Sequence, residues 1–361
     1  FKQYLSSNGK SVVMTLLGKA VSEYGRTGIG LEAKVYDSKW LPATAFPVSD
    51  SRKSQITFHH ILKHTSGIVP EGDCTTYCEE GRRQWNDYVK WVVGKDPNWP
   101  TGTLDFNPGD RKGYSSVSFC HLGLVINELS GMKASDYLWN RMFQPIGIGG
   151  VGYYEPPSTD YRWFSAAGIC LTPRDYARFA YFLMYDGNWA GNQIVPASWI
   201  QRFRDSVDYP NIRSNVDGNF NSRYGVSLPA DTFQIFGSGI NIGIIIPSLD
   251  LVMVRANRNP NSMFDEVTRN IFQKLEAAID TSSPQSGPLP GQIIVDPDNA
   301  TYLVYNRDSN SDGKLDPFYM CGPGDPEDFL YRGTRQFNGT RNGGDQMTII
   351  NAVKNSGANS M

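Results

Sequence analysis

A mixed α/β domain with a helical insertion is the fold class this sequence predicts, and three observations predict it. Apolar residues recur at helical spacing through much of the first half of the chain. Two strand-length apolar runs lie between residues 240 and 256, and an amphipathic helix follows them. With 361 residues, 40% of them hydrophobic and 12% aromatic, the chain can bury a substantial core.

The elements follow in order. Val12, Val13, Leu16, Leu17, Ala20 and Val21 form the apolar stripe of a first helix that starts near Ser7. Thr27–Asp50 is punctuated by Gly and Pro and reads as loop with short strands. Ile56–Gly67 reads as a short helix closed by Gly67, and Gln84–Val93 as another. Pro108-Gly109-Asp110 makes a turn ahead of Tyr114. Leu122, Val125, Ile126 and Leu129 mark a buried helix over Val117–Leu129 that ends at Gly131, and a further helix runs from Ala134 to Phe143. Ser165–Cys170 is strand-like, and Pro173 opens a helix that reaches Asp186. Ile240–Ile246 and Leu251–Ala256 are strands of a hairpin-like pair joined by Pro247–Asp250. Val267, Ile271, Leu275 and Ile279 then line one face of a helix over Asp265–Ile279. Residues 282–292 have linker composition, dividing a domain at 1–281 from a partial one at 293–361. In the latter, the apolar spacing after Gly344 predicts a helix that opens a βα unit.

Composition excludes several functions. The net charge of −2 comes without a basic patch, which argues against nucleic acid. Pro247 and Asp250 interrupt the most apolar run, Ile240–Val254, so no membrane span is expected. Gly147–Gly152 fits a Gly-x-Gly-x-x-Gly pattern but follows a helix and Pro145, the wrong setting for a dinucleotide site. His60 and His64 have a zinc-like spacing without a third ligand, and no Gly-x-Ser-x-Gly elbow occurs. The cysteine count is odd, 5, and Cys74 with Cys78 reads as a small-loop disulfide or two thiols, since no second Cys pair or Cys/His partner lies nearby to complete a metal half-site. The chain opens at Phe1 without a readable targeting segment.

The chemistry points to Ser7 and Lys10. Their Ser-x-x-Lys spacing sets a hydroxyl and an amine one helical turn apart on one face, with Ser7 at the positive end of the helix dipole. Three further stretches follow it: Leu62-Lys63-His64-Thr65-Ser66-Gly67, Pro108-Gly109 ahead of Tyr114-Ser115-Ser116, and Ala166-Ala167-Gly168 ahead of Thr172-Pro173-Arg174-Asp175. In this order they resemble the serine β-lactamase/penicillin-binding-protein superfamily, in the branch of class C β-lactamases, serine esterases and D-amino-acid peptidases. The resemblance covers roughly residues 1–280. It implies a β-lactamase-like fold, an antiparallel sheet flanked by helices plus a helical subdomain, with the strands that normally precede Ser-x-x-Lys missing. It implies Ser7 as nucleophile, Lys10 as its proton acceptor or electrostatic partner, and Tyr114 as general base and then acid. A phenol, with a reference pKa of about 10, works as a base only where a cation holds the phenolate, and Lys10 is that cation. Ser116 stands where the family has Asn.

The resemblance also implies a third box, matched by Gly237-Ser238-Gly239 and leading into Ile240. There the family carries Lys-Thr-Gly or His/Trp-x-Gly, and this chain has no cation. The oxyanion would be held by the N–H of Ser7 and one near Ile240, with Arg255 and Arg258 as surface residues. A missing carboxylate-binding cation favours a small neutral ester or amide substrate over penicillins. β-Lactamase or D-Ala-D-Ala carboxypeptidase activity is the alternative, and a catalytically silent binding module on the same fold is the alternative of another class. Catalysis needs no cofactor on this reading, and the family's usual location is extracytoplasmic. The tail adds Asp308, Asn310, Asp312, Lys314 and Asp316, spaced like an EF-hand calcium loop but with Tyr319 where the bidentate Glu would stand.

Overall fold

A computed structural model of the chain describes residues 2–69, 88–95, 102–153, 165–256, 264–279, 293–295 and 346–351. The Cys74/Cys78 pair, Arg258 and the candidate calcium loop at 308–316 lie outside them. The organising element is an antiparallel sheet of six strands. In chain order its strands are β6 (Ile212–Ser214), β7 (Phe233–Gly237), β8 (Asn241–Ile246), β9 (Leu251–Ala256), β10 (Ile293–Val295) and β11 (Gln346–Asn351), and in space they run β10-β11-β9-β8-β7-β6.

Both faces of the sheet are covered, which is why β8 and β9 read as nearly continuous apolar runs. Ile235, Ile245, Val252 and Val254 face α1 (Asn8–Tyr24) and α6 (Pro173–Met184) in the main core. The alternate positions Ile242, Ile244, Ile246 and Met253 join a second cluster with α8 (Asn219–Tyr224) and α9 (Phe264–Ala278). The period-2 alternation of a strand thus divides one hairpin between two hydrophobic layers. Against α1 stands a helical region made of α2 (Phe58–Leu62), α3 (Tyr88–Val92), α4 (Ser116–Ser130) and α5 (Ala134–Leu138), the last continuing as a π turn over Trp139–Phe143. The start of the chain, β1 (Gln3–Tyr4), joins a separate three-stranded sheet in which β3 (Ile169–Leu171) lies between β1 and β2 (Gly152–Tyr153).

The predicted helices over 117–129, 173–186 and 265–279 and the 240–256 hairpin are all present, with shifts of a residue or two at their ends. Gly131 closes α4 in the left-handed conformation at φ 64°, as a C-terminal glycine does. Two expectations are corrected. The helix at 56–67 is confined to Phe58–Leu62, because a capping box starts it at Thr57 and the chain then turns at His64, with φ +57°. The helix expected after Gly344 is strand β11, which pairs antiparallel with β9 from Gln346↔Ala256 to Asn351↔Leu251. A segment from beyond the linker therefore lies beside β9 in the main sheet. Residues 187–237, where the periodicity predicts no element, hold the two-stranded ribbon β4 (Asn188–Trp189) and β5 (Asn192–Gln193), the helix α7 (Ala197–Arg204), and also β6, α8 and β7.

Candidate active site

Ser7 occupies the N-cap position of α1, but its side chain caps nothing. An N-cap serine ordinarily spends its oxygen on the helix's own N–H groups. Here Ser6 turns through φ +49° just before it, and the Ser7 Oγ instead accepts a hydrogen bond from the Tyr114 hydroxyl at 2.7 Å. Lys10, one turn along the helix, reaches the same oxygen with Nζ at 3.3 Å.

Lys10 is fully buried, at 0% exposure. Its Nζ also donates to Ser116 Oγ at 2.8 Å and to the Ala166 carbonyl at 2.9 Å. Three acceptors match the three N–H bonds of an ammonium group, so a charge at this depth is satisfied. That ammonium lies 4.6 Å from the centre of the Tyr114 ring. Tyr114 itself is 38% exposed, so the hydroxyl pair is open to an incoming molecule.

The His64-Thr65-Ser66-Gly67 stretch holds the loop that delivers Tyr114. The carbonyls of Gly67, Thr65 and His64 accept from Asp105 N, Gly109 N and Gly113 N at 2.8, 2.8 and 2.7 Å. His64 Nδ1 accepts from Ser115 N at 3.1 Å, and Ser66 Oγ meets Ser118 Oγ on α4 at 2.7 Å. Gly67 is required here: with φ +78°, a Cβ on it would come within 2.1 Å of Phe106 O. Burial, reinforced by the Lys10 charge, brings the His64 imidazole down to about 3, so it is neutral at ordinary pH. The zinc-like spacing of His60 and His64 has a different explanation, since His60 Nδ1 takes the Thr57 N–H in the α2 cap. Among the described residues no cluster of three or more His, Cys, Asp or Glu side chains could hold a metal.

The predicted third box lies at the β7–β8 turn. Gly237 closes β7 opposite Asn241 and is the point of approach to the start of α1, where a Cβ would meet Leu5 O at 2.1 Å and Asn8 Nδ2 at 2.8 Å. Asn8 ties the two elements together. Its Nδ2 donates to Leu5 O at 3.1 Å and Asn241 O at 3.0 Å, and its Oδ1 accepts from Tyr176 OH at 3.0 Å. Ser238 is exposed, with its carbonyl bonded to Asn241 Nδ2 at 2.7 Å. Gly239 and Ile240 both take positive φ, 81° and 60°, a costly conformation for a β-branched residue. The Ile240 side chain is buried in the second core, on the α8/α9 side of the sheet.

Arg255 helps hold that turn. Its Nη1 donates to Ile240 O at 2.5 Å and Gly239 O at 3.3 Å, and the residue is 1% exposed. The expectation of a surface arginine is thus corrected: β9 turns this side chain towards the α8/α9 face, where its donors anchor backbone carbonyls. Sequence reading also passed over Asn8, Tyr176 and Asn211 as contributors, because each acts through a partner more than a hundred residues away.

The arrangement brings a serine hydroxyl, a phenol and a lysine amine together at the N–H-rich end of a helix. The comparisons with known proteins agree with such a fold. The family described as "Beta-lactamase" matches residues 4–276. Esterase EstB of Burkholderia gladioli is 26% identical over 153 residues, 41% of this chain; the match spans 38% of that relative's own length. Among solved structures, a candidate 6-aminohexanoate-dimer hydrolase from Bacillus anthracis aligns with TM-score 0.56 at 17% identity, covering 79% of this chain and 74% of that one. A β-lactamase from Mycobacterium bovis aligns with TM-score 0.51 at 18% identity, covering 77% and 86%. At such identities the structural likeness establishes the fold, and the family match covers most of the sequence. This chain belongs to the β-lactamase family.

Proposed function

We propose that the chain is a serine hydrolase that cleaves a small neutral ester or amide through an acyl-enzyme. The observation that carries this reading is the Ser7 hydroxyl, bonded to Tyr114 OH at 2.7 Å and reached by Lys10 Nζ at 3.3 Å. Tyr114, facing Lys10 and open to solvent, releases its own proton to water and then takes the Ser7 proton while Oγ attacks the carbonyl carbon. The developing oxyanion lies at the Ser7 N–H and an N–H of the β7–β8 tip, a kind of interaction worth about 3 kcal/mol per donor. As the tetrahedral intermediate collapses, Tyr114 returns the proton to the departing alcohol or amine. Water then enters and attacks the acyl carbon as Tyr114 takes its proton; the C–Oγ bond breaks, Tyr114 passes that proton to Ser7 Oγ, and the acid departs.

The substrate preference rests on charge. The guanidinium beside the third box, Arg255, is buried and bonded to Gly239 O and Ile240 O, so it does not take the place of the substrate-facing cation missing from that box. Kinship with an esterase points the same way. Cys170 is disulfide-bonded, which favours an oxidising, extracytoplasmic compartment as part of the same proposal. The test is hydrolysis of a p-nitrophenyl ester by the full chain and by Ser7→Ala. A loss of about 10⁴-fold or more in kcat is expected; equal turnover would refute the nucleophile, and no turnover by either protein would revive the silent binding module. Nitrocefin turnover matching that of the ester would move the substrate class to β-lactams.

A further inference from the structure

His64 contributes more to this site than backbone support. Its ring stacks on the Tyr114 ring, with centroids 4.3 Å apart and planes 23° from parallel. On the ring's edges, Nδ1 faces the Ser115 N–H at 3.1 Å and Nε2 faces the Asn211 amide at 3.0 Å. A backbone N–H can only donate, so Nδ1 carries no proton, and in a neutral imidazole the proton is on Nε2. Asn211 must then present Oδ1 to it, the amide orientation being fixed by this network. Asn211 is itself buried and held, with its carbonyl accepting from Ser11 Oγ on α1 at 2.7 Å. The imidazole is pinned at two edges, and one of its pins leads back to the helix that begins beside Ser7.

We propose that His64, locked as its Nε2–H tautomer between Ser115 and Asn211, is a positioning residue that seats the Tyr114 ring so that its hydroxyl meets Ser7. The inference rests on the reading of Tyr114 as the group that moves the Ser7 proton. The serine is fixed by α1, whereas Tyr114 is more than a third exposed and sits on a loop, so its aim depends on what lies behind the ring. Phe119 lies on His64 in turn, with ring centroids 4.9 Å apart, and completes a stack from the core to the site. The other buried histidine supplies an internal contrast: His121 Nδ1 faces the Val117 carbonyl at 3.0 Å, an acceptor, so its proton is on Nδ1.

The experiment uses the full chain. Long-range ¹H–¹⁵N spectra of histidine-labelled protein, which has 4 histidines, should show His64 as Nε2–H and His121 as Nδ1–H. His64→Asn keeps an acceptor for Ser115 N–H and tolerates the positive φ, but it removes the stacked ring. Asn211→Leu keeps the ring and frees its tautomer. Each should lower kcat about 10- to 100-fold with KM within about twofold, the pattern of a misaimed group rather than a lost binding contact. Labelling of Ser7 by a fluorophosphonate should slow to match. An Nδ1–H tautomer at His64, or folded His64→Asn with wild-type kcat and labelling rate, overturns the inference and leaves the hydrolase reading standing. A wild-type chain that is not labelled at Ser7 at all overturns that reading, and the inference with it.

Discussion

Two clusters in this molecule are built from the same residue types, and only one of them opens its phenol to solvent. At the site, Lys10 lies 4.6 Å from the Tyr114 ring and Tyr114 stacks on His64. In the helical region, Lys53 lies 5.6 Å from the Tyr36 ring and the Tyr36 hydroxyl meets His121 Nε2 at 2.8 Å. Both lysines are buried. The difference is where the phenol points. Tyr36 is 7% exposed and spends its hydroxyl on His121, and burial drives its ionisation far above the usual tyrosine range. Lys53, bonded to Ser49 Oγ at 2.7 Å and Val93 O at 2.9 Å, is brought down to about 8 by the same burial. Tyr114 keeps an open face and shares its proton with a serine at a helix N-terminus. Residue type supplies the same parts twice, and exposure to solvent separates the proposed reaction centre from a piece of core.

Paired substitutions break this comparison most sharply. Lys10→Met should lower kcat for ester hydrolysis about 10³-fold, as loss of the cation that supports a proton transfer does. Lys53→Met should leave kcat within about twofold and cost about 1–3 kcal/mol in urea unfolding, because Ser49 Oγ and Val93 O lose a donor. If both variants behaved alike in both assays, the distinction between the clusters would fail.

A smaller effect is expected from Gly237→Ala. The added Cβ has no room against Leu5 O, so α1 and the β7–β8 turn must part. A fall of about 10²-fold in kcat, with a melting temperature lowered by a few degrees, is the expected outcome. Normal kcat would dissociate the turn from the site.

A last effect, on stability alone, is common to both clusters. Burial brings His64 down to about 3 and His121 to about 4, below the value of about 6.5 for an unfolded histidine. Below pH of about 6.5 the unfolded chain therefore binds protons that the folded chain refuses, and stability falls as pH falls. Each histidine contributes about 1.4 kcal/mol per pH unit, His121 down to near pH 4 and His64 down to near pH 3. Urea midpoints measured from pH 7 to pH 4.5 check the slope, and a flat profile contradicts both burials.

The parts of this fold that were legible in the sequence are those dictated locally. The stripe from Val12 to Val21 needs only helical periodicity to predict α1, and Gly131 and Pro173 mark helix ends by their own backbone limits. The Ser7–Lys10 contact follows from that same periodicity. The stretch from 187 to 237 was missed because its strands are short and are defined by their partners: β6 exists through its pairing with Phe233–Ile235. The segment after Gly344 was misread for the same reason. Its apolar residues suit a helix as well as a strand, and pairing with β9 makes it a strand.

By itself, then, the sequence determined the Ser7–Lys10 pair, because it depends on residues three positions apart, and the resemblance carried by the ordered boxes named Tyr114 as its partner. The tertiary structure alone decided that Tyr114 reaches Ser7 from 107 residues away, that Arg255 is buried in a turn, and that one of two Lys–Tyr–His clusters stays open. Those outcomes depend on which surfaces are buried against each other, and burial is a property of the packed chain.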